Sequence, residues 1–237
     1  MNKKSKISII IPTYNEVNNI GPLIERLQSL PLNKEIIVVD DNSNDGTIDV
    51  VKRLSERYNN VRLLVRPRKM GLGSAYKNGF RLARGDIIVQ MDGDLSHDPS
   101  ELPRLIKGLE SADVVIGSRY VKGGRIVSWG PLRRLISLGA NLLARLILRL
   151  RMHDCTSGYR AFRRKAFREI MNLNEADGFA FQVETIYIAS RLKLRVSEVP
   201  CTFYNRTSGK SKLDLREMLK FLMFLFSMRL KGWQVKA

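Results

Sequence analysis

Cysteine and histidine are scarce in this chain, with two of each in 237 residues. Cys155 and Cys201 stand 46 positions apart, with no CxxC pair and no adjacent histidine. That excludes a structural zinc site and a disulfide framework, and a reducing compartment is expected. His97 and His153 lack a partner histidine or a triad-like neighbour, so structural or positioning roles are expected of them. Long hydrophobic runs are also missing. The longest apolar stretch, Phe221–Phe226 followed by Ser227 and Met228, is closed by Lys220 and Arg229. It falls far short of the roughly 20 residues that span a bilayer. The apolar segment before Pro12 is too short for the h-region of a secretion signal. Neither a signal peptide nor a transmembrane helix is expected.

Acidic residues are the minority charge: 23 Asp plus Glu stand against 41 Lys plus Arg, for a formal net charge of +18 and a pI near 10.2. The imbalance is regional. From Gly117 to Arg168 there are thirteen Lys or Arg and a single acid, Asp154, whereas the first hundred residues hold most of the carboxylates. Such a segment needs an anionic partner. Nucleic acid is a poor fit, because aromatic residues do not interleave with the basic run and no helix-turn-helix, RNP or zinc-finger signature occurs. A phospholipid surface or a phosphorylated substrate matches the charge.

Apolar residues are plentiful at 44%, with 27% charged, which supplies a core and excludes intrinsic disorder. Strand and helix patterns alternate through the first half. Strands are expected at Ile7–Ile11, Glu35–Val39, Val61–Val65 and Asp86–Met91, with helices at about Asn18–Ser29, Gly46–Tyr58 and Gly73–Ala83 between them. The strands read as continuous apolar runs, as when both sheet faces are covered. The expected fold is α/β: a mostly parallel, Rossmann-like central sheet with helices on both faces. A further strand at Asp113–Ile116 is followed by helices at about Leu132–Leu150 and Gln182–Leu192, a turn at Cys155–Arg160, and a final helix from Asp214. With no linker or repeat in view, 1–237 reads as one domain.

In such sheets ligands sit at the carboxyl ends of the strands. Those ends hold Pro12-Thr13-Tyr14-Asn15-Glu16, Asp40-Asp41 leading to Asp45-Gly46-Thr47, and Asp92-Gly93-Asp94-Leu95-Ser96-His97. A lone Asp-x-Asp is ordinarily a turn with Asx hydrogen bonds. At a strand end the pair Asp92 and Asp94 instead suits Mg2+ or Mn2+, hard cations that take oxygen ligands and keep positions open for phosphates. Adjacent Asp40 and Asp41 repel one another unless a ligand or a neighbouring base compensates, so a ligand role is expected for at least one. Asp45 is an expected helix cap. Gly71–Gly79 lacks the third glycine of a dinucleotide fingerprint, and no GxxxxGK(S/T) loop is present. The glycines at Gly71 and Gly73 read either as a tight helix start or as a close backbone approach to a ligand.

Taken together, IPTYNE, VVDDNSNDGT, RPRKMGLGSAYKNG, MDGDLSHDP, VVIGSRYVKGG, DCTSGYRAFR, GFAFQVE and EVPCTFYNRTSGKSKL resemble the family 2 glycosyltransferases of the GT-A fold, in the branch that makes dolichyl-phosphate mannose. The resemblance runs from Ile9 to about Leu225. It departs at Gly93, where Ala is usual, and in lacking the transmembrane region that follows the catalytic domain in many relatives. It implies a nucleotide-sugar half at about 1–117 and an acceptor- and membrane-facing half at about 118–237. It further implies that Pro12, Tyr14, Glu16, Val39 and Asp41 hold the guanosine end of GDP-mannose and that Asp92 and Gly93 contact the nucleotide-sugar. Asp94, with Asp92 and Ser96, would ligate the metal, and Arg119, Arg133, Arg206 and Lys212 would line the place where donor diphosphate and lipid phosphate meet.

The implied reaction is an inverting transfer of mannose from GDP-mannose to dolichyl phosphate at the cytoplasmic face of a membrane. The protein would attach peripherally, alone or through a small membrane-anchoring subunit. A glucosyl or other glycosyl transferase acting on undecaprenyl phosphate, and a non-catalytic basic module, are the alternatives. The segment Leu132–Leu150 bears on attachment. Leu132, Leu135, Ile136, Leu142, Leu143, Leu146, Ile147 and Leu150 recur at three- and four-residue steps, and Arg133, Arg134, Ser137, Asn141, Arg145 and Arg149 are assigned to the opposite side. Such a helix either packs on the core or lies in a bilayer interface.

Overall fold

The structure is a computed structural model that describes residues 5–205 and 215–231. Its first half follows a strict alternation: β1 (Ile7–Thr13), α1 (Val17–Gln28), β2 (Lys34–Asp40), α2 (Thr47–Arg57), β3 (Val61–Val65), α3 (Leu72–Leu82) and β4 (Ile87–Gln90). These strands pair in parallel in the order β3-β2-β1-β4. Period-two alternation survives even in the fully buried strands. Ile9 and Ile11 join the core on one face, with Leu23 and Leu105, while Ile10 joins the core on the other, with Tyr76 and Phe181. Each such burial contributes about 1.5–3 kcal/mol.

The second half comprises α4 (Leu102–Gly108), β5 (Val114–Ser118), β6 (Arg125–Val127), α5 (Pro131–Leu148), β7 (Arg160–Arg163), α6 (Arg164–Leu173), α7 (Gly178–Arg191), β8 (Val196–Pro200), β9 (Thr202–Tyr204) and α8 (Leu215–Lys231). The sheet continues from β4 through β7 and β5 to β8, and β7 is antiparallel to both neighbours. An antiparallel strand presents its beginning where parallel neighbours present their ends. The loop Cys155–Tyr159, which precedes β7, therefore reaches the same sheet edge as the loops after β1, β2, β4 and β5. Strand β7, α4, α6 and the pair β6–β9 are not visible as elements in the sequence pattern. In α6 the basic run RRKAFR obscures a stripe of Ala166, Phe167, Ile170 and Met171, all of which are buried.

Of the two readings of α5, the exposed leucines argue against packing on the core, and Asn141, assigned to the side opposite the leucines, is buried. Asn141, Ala144 and Leu148 are buried, and Leu150 packs inward just beyond the helix. Leu132, Leu135, Leu138, Leu142, Leu143 and Leu146 are 39–68% exposed. Asn141 turns inward because its amide closes three hydrogen bonds: Nδ2 donates to Ser137 O and Thr156 Oγ1, and Oδ1 accepts from Thr156 N–H. Ser137 is likewise occupied with Tyr120, whose hydroxyl donates to it at 2.7 Å. Helix α8 packs on α5 and divides its own apolar residues. Leu225 is buried and Phe221, Phe224 and Met228 pack on the core, while Leu219, Met223, Phe226 and Leu230 stand exposed. Among the described residues no helix is long and apolar enough to cross a membrane.

Candidate active site

Three strand-end loops meet at one edge, and each holds a non-glycine residue in the left-handed region: Asn15 (φ 59°), Asn42 (φ 60°) and Leu95 (φ 61°). Asparagine tolerates this conformation through local hydrogen bonds, whereas Leu95 stores about 1–2 kcal/mol of strain. Leu95 lies between Asp94 and Ser96. Ser96 N–H donates to Asp94 Oδ1 at 3.1 Å, and the Ser96 hydroxyl closes on the same oxygen. Asp94 is buried, and the Asp92 side chain retains 29% exposure.

His97 supports this loop from beneath. Its ring stacks on Tyr159 at 4.8 Å and meets Phe203 edge-on at 5.4 Å, and Phe203 meets Trp129 edge-on at 5.2 Å. Asp92 N–H donates to His97 Nδ1 at 3.2 Å, which places the imidazole proton on Nε2, 3.7 Å from Asp92 Oδ2. Burial holds the His97 pKa below its ordinary value, so the ring is neutral and serves as an acceptor. This packing and the backbone hydrogen bond fit the structural or positioning role expected of His97.

The cations of the site are anchored by the same aromatic chain. Arg119, directly after β5, lies over the rings of Tyr120, Trp129 and Phe203 at 5.3–5.5 Å and donates two hydrogen bonds to Asp154 and one to Thr156. Burial opposes its charge, but Asp154 overcomes that and holds its pKa above the ordinary value. Arg133, in the first turn of α5, stacks on Trp129 at 4.1 Å and donates to Asn205 Oδ1 at 2.8 Å. Strand β9 carries Phe203 to the loop, pairing with His97 and donating Tyr204 N–H to Ser96 O, and it leads to Arg206. Arg206 and Lys212 lie outside the described residues.

Residues 8–171 match the family model for glycosyl transferase family 2. The chain belongs to this family. It is 42% identical over 213 residues to an undecaprenyl-phosphate mannosyltransferase of Micrococcus luteus, covering 88% of each chain. It is 38% identical over 234 residues to a dolichol-phosphate mannosyltransferase of Pyrococcus furiosus, covering 97% of this chain and 64% of that one. A polyprenol monophosphomannose synthase of Mycolicibacterium smegmatis is 41% identical, with coverage of 87% and 80%. The fold matches glucosyl-3-phosphoglycerate synthase of Mycobacterium tuberculosis, solved with phosphoglyceric acid, at TM-score 0.71 and 23% identity over 98% of this chain and 82% of that one. The same synthase has been solved with Mn2+, UDP-glucose and phosphoglyceric acid, at TM-score 0.68 and 22% identity over 96% and 79%.

The remaining expected site residues of this glycosyltransferase distribute around the β1 and β2 ends. Tyr14 is 41% exposed, with Lys69 Nζ 4.8 Å above its ring. Glu16 N–H donates to Thr47 Oγ1, and Glu16 Oε2 accepts from Asn19. Pro12 pairs in register with Val39, whose side chain is fully buried in the core. Gly93 comes so close to β1 that a Cβ there would stand 3.0 Å from Thr13 Cγ2, which an alanine would have to displace slightly.

The two adjacent carboxylates separate into different environments. Asp40 is buried and accepts from Thr13 Oγ1, Ser43 Oγ and Ser43 N–H, which gives it a structural role. Asp41 is paired with Arg66, which also donates to Ser74 Oγ and Gly71 O. A neighbouring base thus compensates the pair. The cap position of α2 falls on Gly46 (φ 99°) rather than on the expected Asp45; Asp45, one residue earlier, accepts from Thr47 N–H and Oγ1 and from Val17 N–H at the start of α1.

Arg66, Asp154 and Arg160 are the residues that sequence reasoning missed. Arg66 stands in the quoted RPRK run, and Asp154 was visible as the one acid in a basic segment. Arg160 is fully buried and donates to Gln182 O and Cys155 O, fixing the loop before β7; burial lowers its pKa to about 10. The Gly71 start of α3 takes the structural reading, with φ 92° and no room for a Cβ beside Asp177, whose carboxylate accepts from Gly73 N–H.

Proposed function

We propose that this glycosyltransferase moves mannose from GDP-mannose to a polyprenyl phosphate, dolichyl phosphate in the reading the sequence favours, with inversion at the anomeric carbon. The observation that carries this reading is the meeting of Asp92 and Asp94 with the fixed cation Arg119 at one sheet edge, in a chain 38–42% identical to named polyprenyl-phosphate mannosyltransferases.

In the step, an acceptor phosphate oxygen forms a bond to the mannose C1 as the C1–O bond to GDP breaks, and GDP leaves with the electron pair. The acceptor oxygen is already anionic near neutral pH, so no strong general base is required. Arg119 and Arg133 reduce the repulsion between the two phosphate groups, a role also assigned to Arg206 and Lys212. Asp92, placed by His97, orients the donor sugar. Tyr14, Glu16 and Asp41 hold the nucleotide.

The donor set suits a hard divalent cation. Asp92, Asp94 and Ser96 offer oxygen ligands, and among the described residues no third carboxylate, histidine or cysteine joins them, as in Mg2+ or Mn2+ sites completed by diphosphate oxygens. When bound, such an ion supplies charge neutralisation for the departing diphosphate.

Peripheral attachment is supported by α5 and α8, whose exposed leucines, Met223 and Phe226 suit the acyl boundary of a bilayer, where the proposed acceptor resides. Incubation with labelled GDP-mannose, beside labelled UDP-glucose, and extracted polyprenyl phosphates tests the reading. Solvent-extractable label is expected from GDP-mannose only; label from UDP-glucose alone would assign a different donor.

A further inference from the structure

A second basic feature lies at the far end of the sheet. A cavity of about 640 Å³ opens where α5 and α7 end and β8 begins, lined by Arg149, Arg151, Lys193 and Arg195 and by apolar residues that include Leu150 and Ile186. Arg195 pairs with Asp113, the residue before β5, whereas Arg119 follows β5. The cavity therefore stands about 20 Å from the candidate active site, at about 3.3 Å per strand residue.

Among the described residues no carboxylate lines this cavity. Asp113 neutralises Arg195, which leaves the charges of Arg149, Arg151 and Lys193. Cations past helix C-termini complement the helix dipole, and that accounts for Arg149 after α5 and Lys193 after α7. It does not account for Arg151, or for the apolar floor that the cations surround. A cationic rim over an apolar floor matches an amphiphilic anion better than a free one.

We propose that this cavity receives the phosphate head group of an anionic phospholipid. The proposal rests on the membrane reading above and extends it to a defined site. Helix α5 carries Arg133 beside the active site and leads to Arg149 at the cavity, about 24 Å away at 1.5 Å per residue. The exposed Leu135, Leu138, Leu142, Leu143 and Leu146 lie between those two points. A lipid whose acyl chains follow the leucines would bring its phosphate to the helix end, where the rim waits. Docked there, α5 is held at both ends, so the sheet edge that carries Arg119 faces the surface from which the acceptor phosphate must come.

The test uses the full chain and its Arg151→Gln/Lys193→Gln double variant, both exposed positions outside the catalytic machinery. Dihexanoyl phosphatidylglycerol, held below its micellar concentration, is titrated beside dihexanoyl phosphatidylcholine and glycerol 3-phosphate. Saturable one-to-one binding of phosphatidylglycerol is expected, at least about tenfold weaker in the double variant on the scale of membrane-surface lysines and arginines. Lys52→Gln/Arg53→Gln on α2 should leave it unchanged. Equal binding of phosphatidylcholine, equal binding of glycerol 3-phosphate, or no loss in the double variant would each overturn the proposal. Flotation on phosphatidylglycerol vesicles separates the two readings: wild type that fails to float defeats membrane attachment itself, whereas flotation unchanged in the double variant defeats only the head-group site.

Discussion

Arg119 and Asp154 form a buried bidentate pair, with Nε 2.7 Å from Oδ2 and Nη2 2.6 Å from Oδ1, and the Arg119 backbone N–H reaches Oδ2 at 3.0 Å. The one acid of a strongly basic segment thus orients the buried cation Arg119, tying the end of β5 to the loop before β7. Glu198 holds that loop in turn, accepting from the backbone N–H groups of His153 and Asp154. Replacing Asp154 with Asn leaves a guanidinium buried without its counter-charge, at a cost of about 3–5 kcal/mol. Urea unfolding should show that loss, and transfer activity should fall with it. A variant as stable as wild type would contradict the assignment.

The pair also sets a pH dependence. Burial works against the Asp154 carboxylate, but Arg119 outweighs it and holds the pKa below the usual 3.8. A depressed carboxylate contributes stability that is fully present above about pH 4 and is lost as the pH falls through the lowered pKa. The stability gap between wild type and Asp154→Asn should therefore narrow between neutral pH and pH 3. Unfolding curves at the two pH values measure it, and a gap that widened in acid would reverse the sign of the argument.

His97→Phe keeps an aromatic ring between Tyr159 and Phe203 but deletes the acceptor for Asp92 N–H. Thermal stability should fall by about 1–3 kcal/mol for the unpaired donor, while the affinity for Mn2+ with GDP falls by about tenfold or more. Calorimetric titration checks this. Unchanged affinity would mean that the ring is only packing.

The parallel half of the sheet was legible in the sequence because its strands are uninterrupted apolar runs between helices with clear periodicity, and all the strand-end loops quoted for the site fall at one edge. The second half was obscured for physical reasons. Strand β7 spans four residues, two of them arginines, and its pairing between β4 and β5 is antiparallel, which no local pattern announces. In α5 the inward polar residues Ser137 and Asn141 answer hydrogen bonds from Tyr120 and Thr156, partners that sequence periodicity cannot reveal. The Asp41–Arg66 and Arg119–Asp154 pairs likewise join residues 25 and 35 positions apart.

Asp94→Asn keeps the size of the side chain but removes its charge. Binding of Mn2+ in the presence of GDP, followed by electron paramagnetic resonance, should weaken by at least about tenfold, and metal-dependent transfer should be lost. Retention of both would remove Asp94 from the metal site.

Polar replacement of Leu135, Leu142 and Leu146 together should abolish flotation with liposomes without lowering the melting temperature, because all three are exposed. Buried leucines would instead cost about 2–5 kcal/mol each. A large drop in stability would show that these residues are covered by protein.

In the proposed reaction the acceptor phosphate attacks the donor sugar directly, in a site built from Asp92, Asp94 and the surrounding cations. Nuclear magnetic resonance of the lipid product formed from GDP-α-mannose tests this most directly. Direct attack gives a mannosyl phosphodiester with the inverted, β configuration at C1, formed together with one equivalent of GDP. A product with retained α configuration, or hydrolysis to free mannose with no mannosylated lipid, would contradict it.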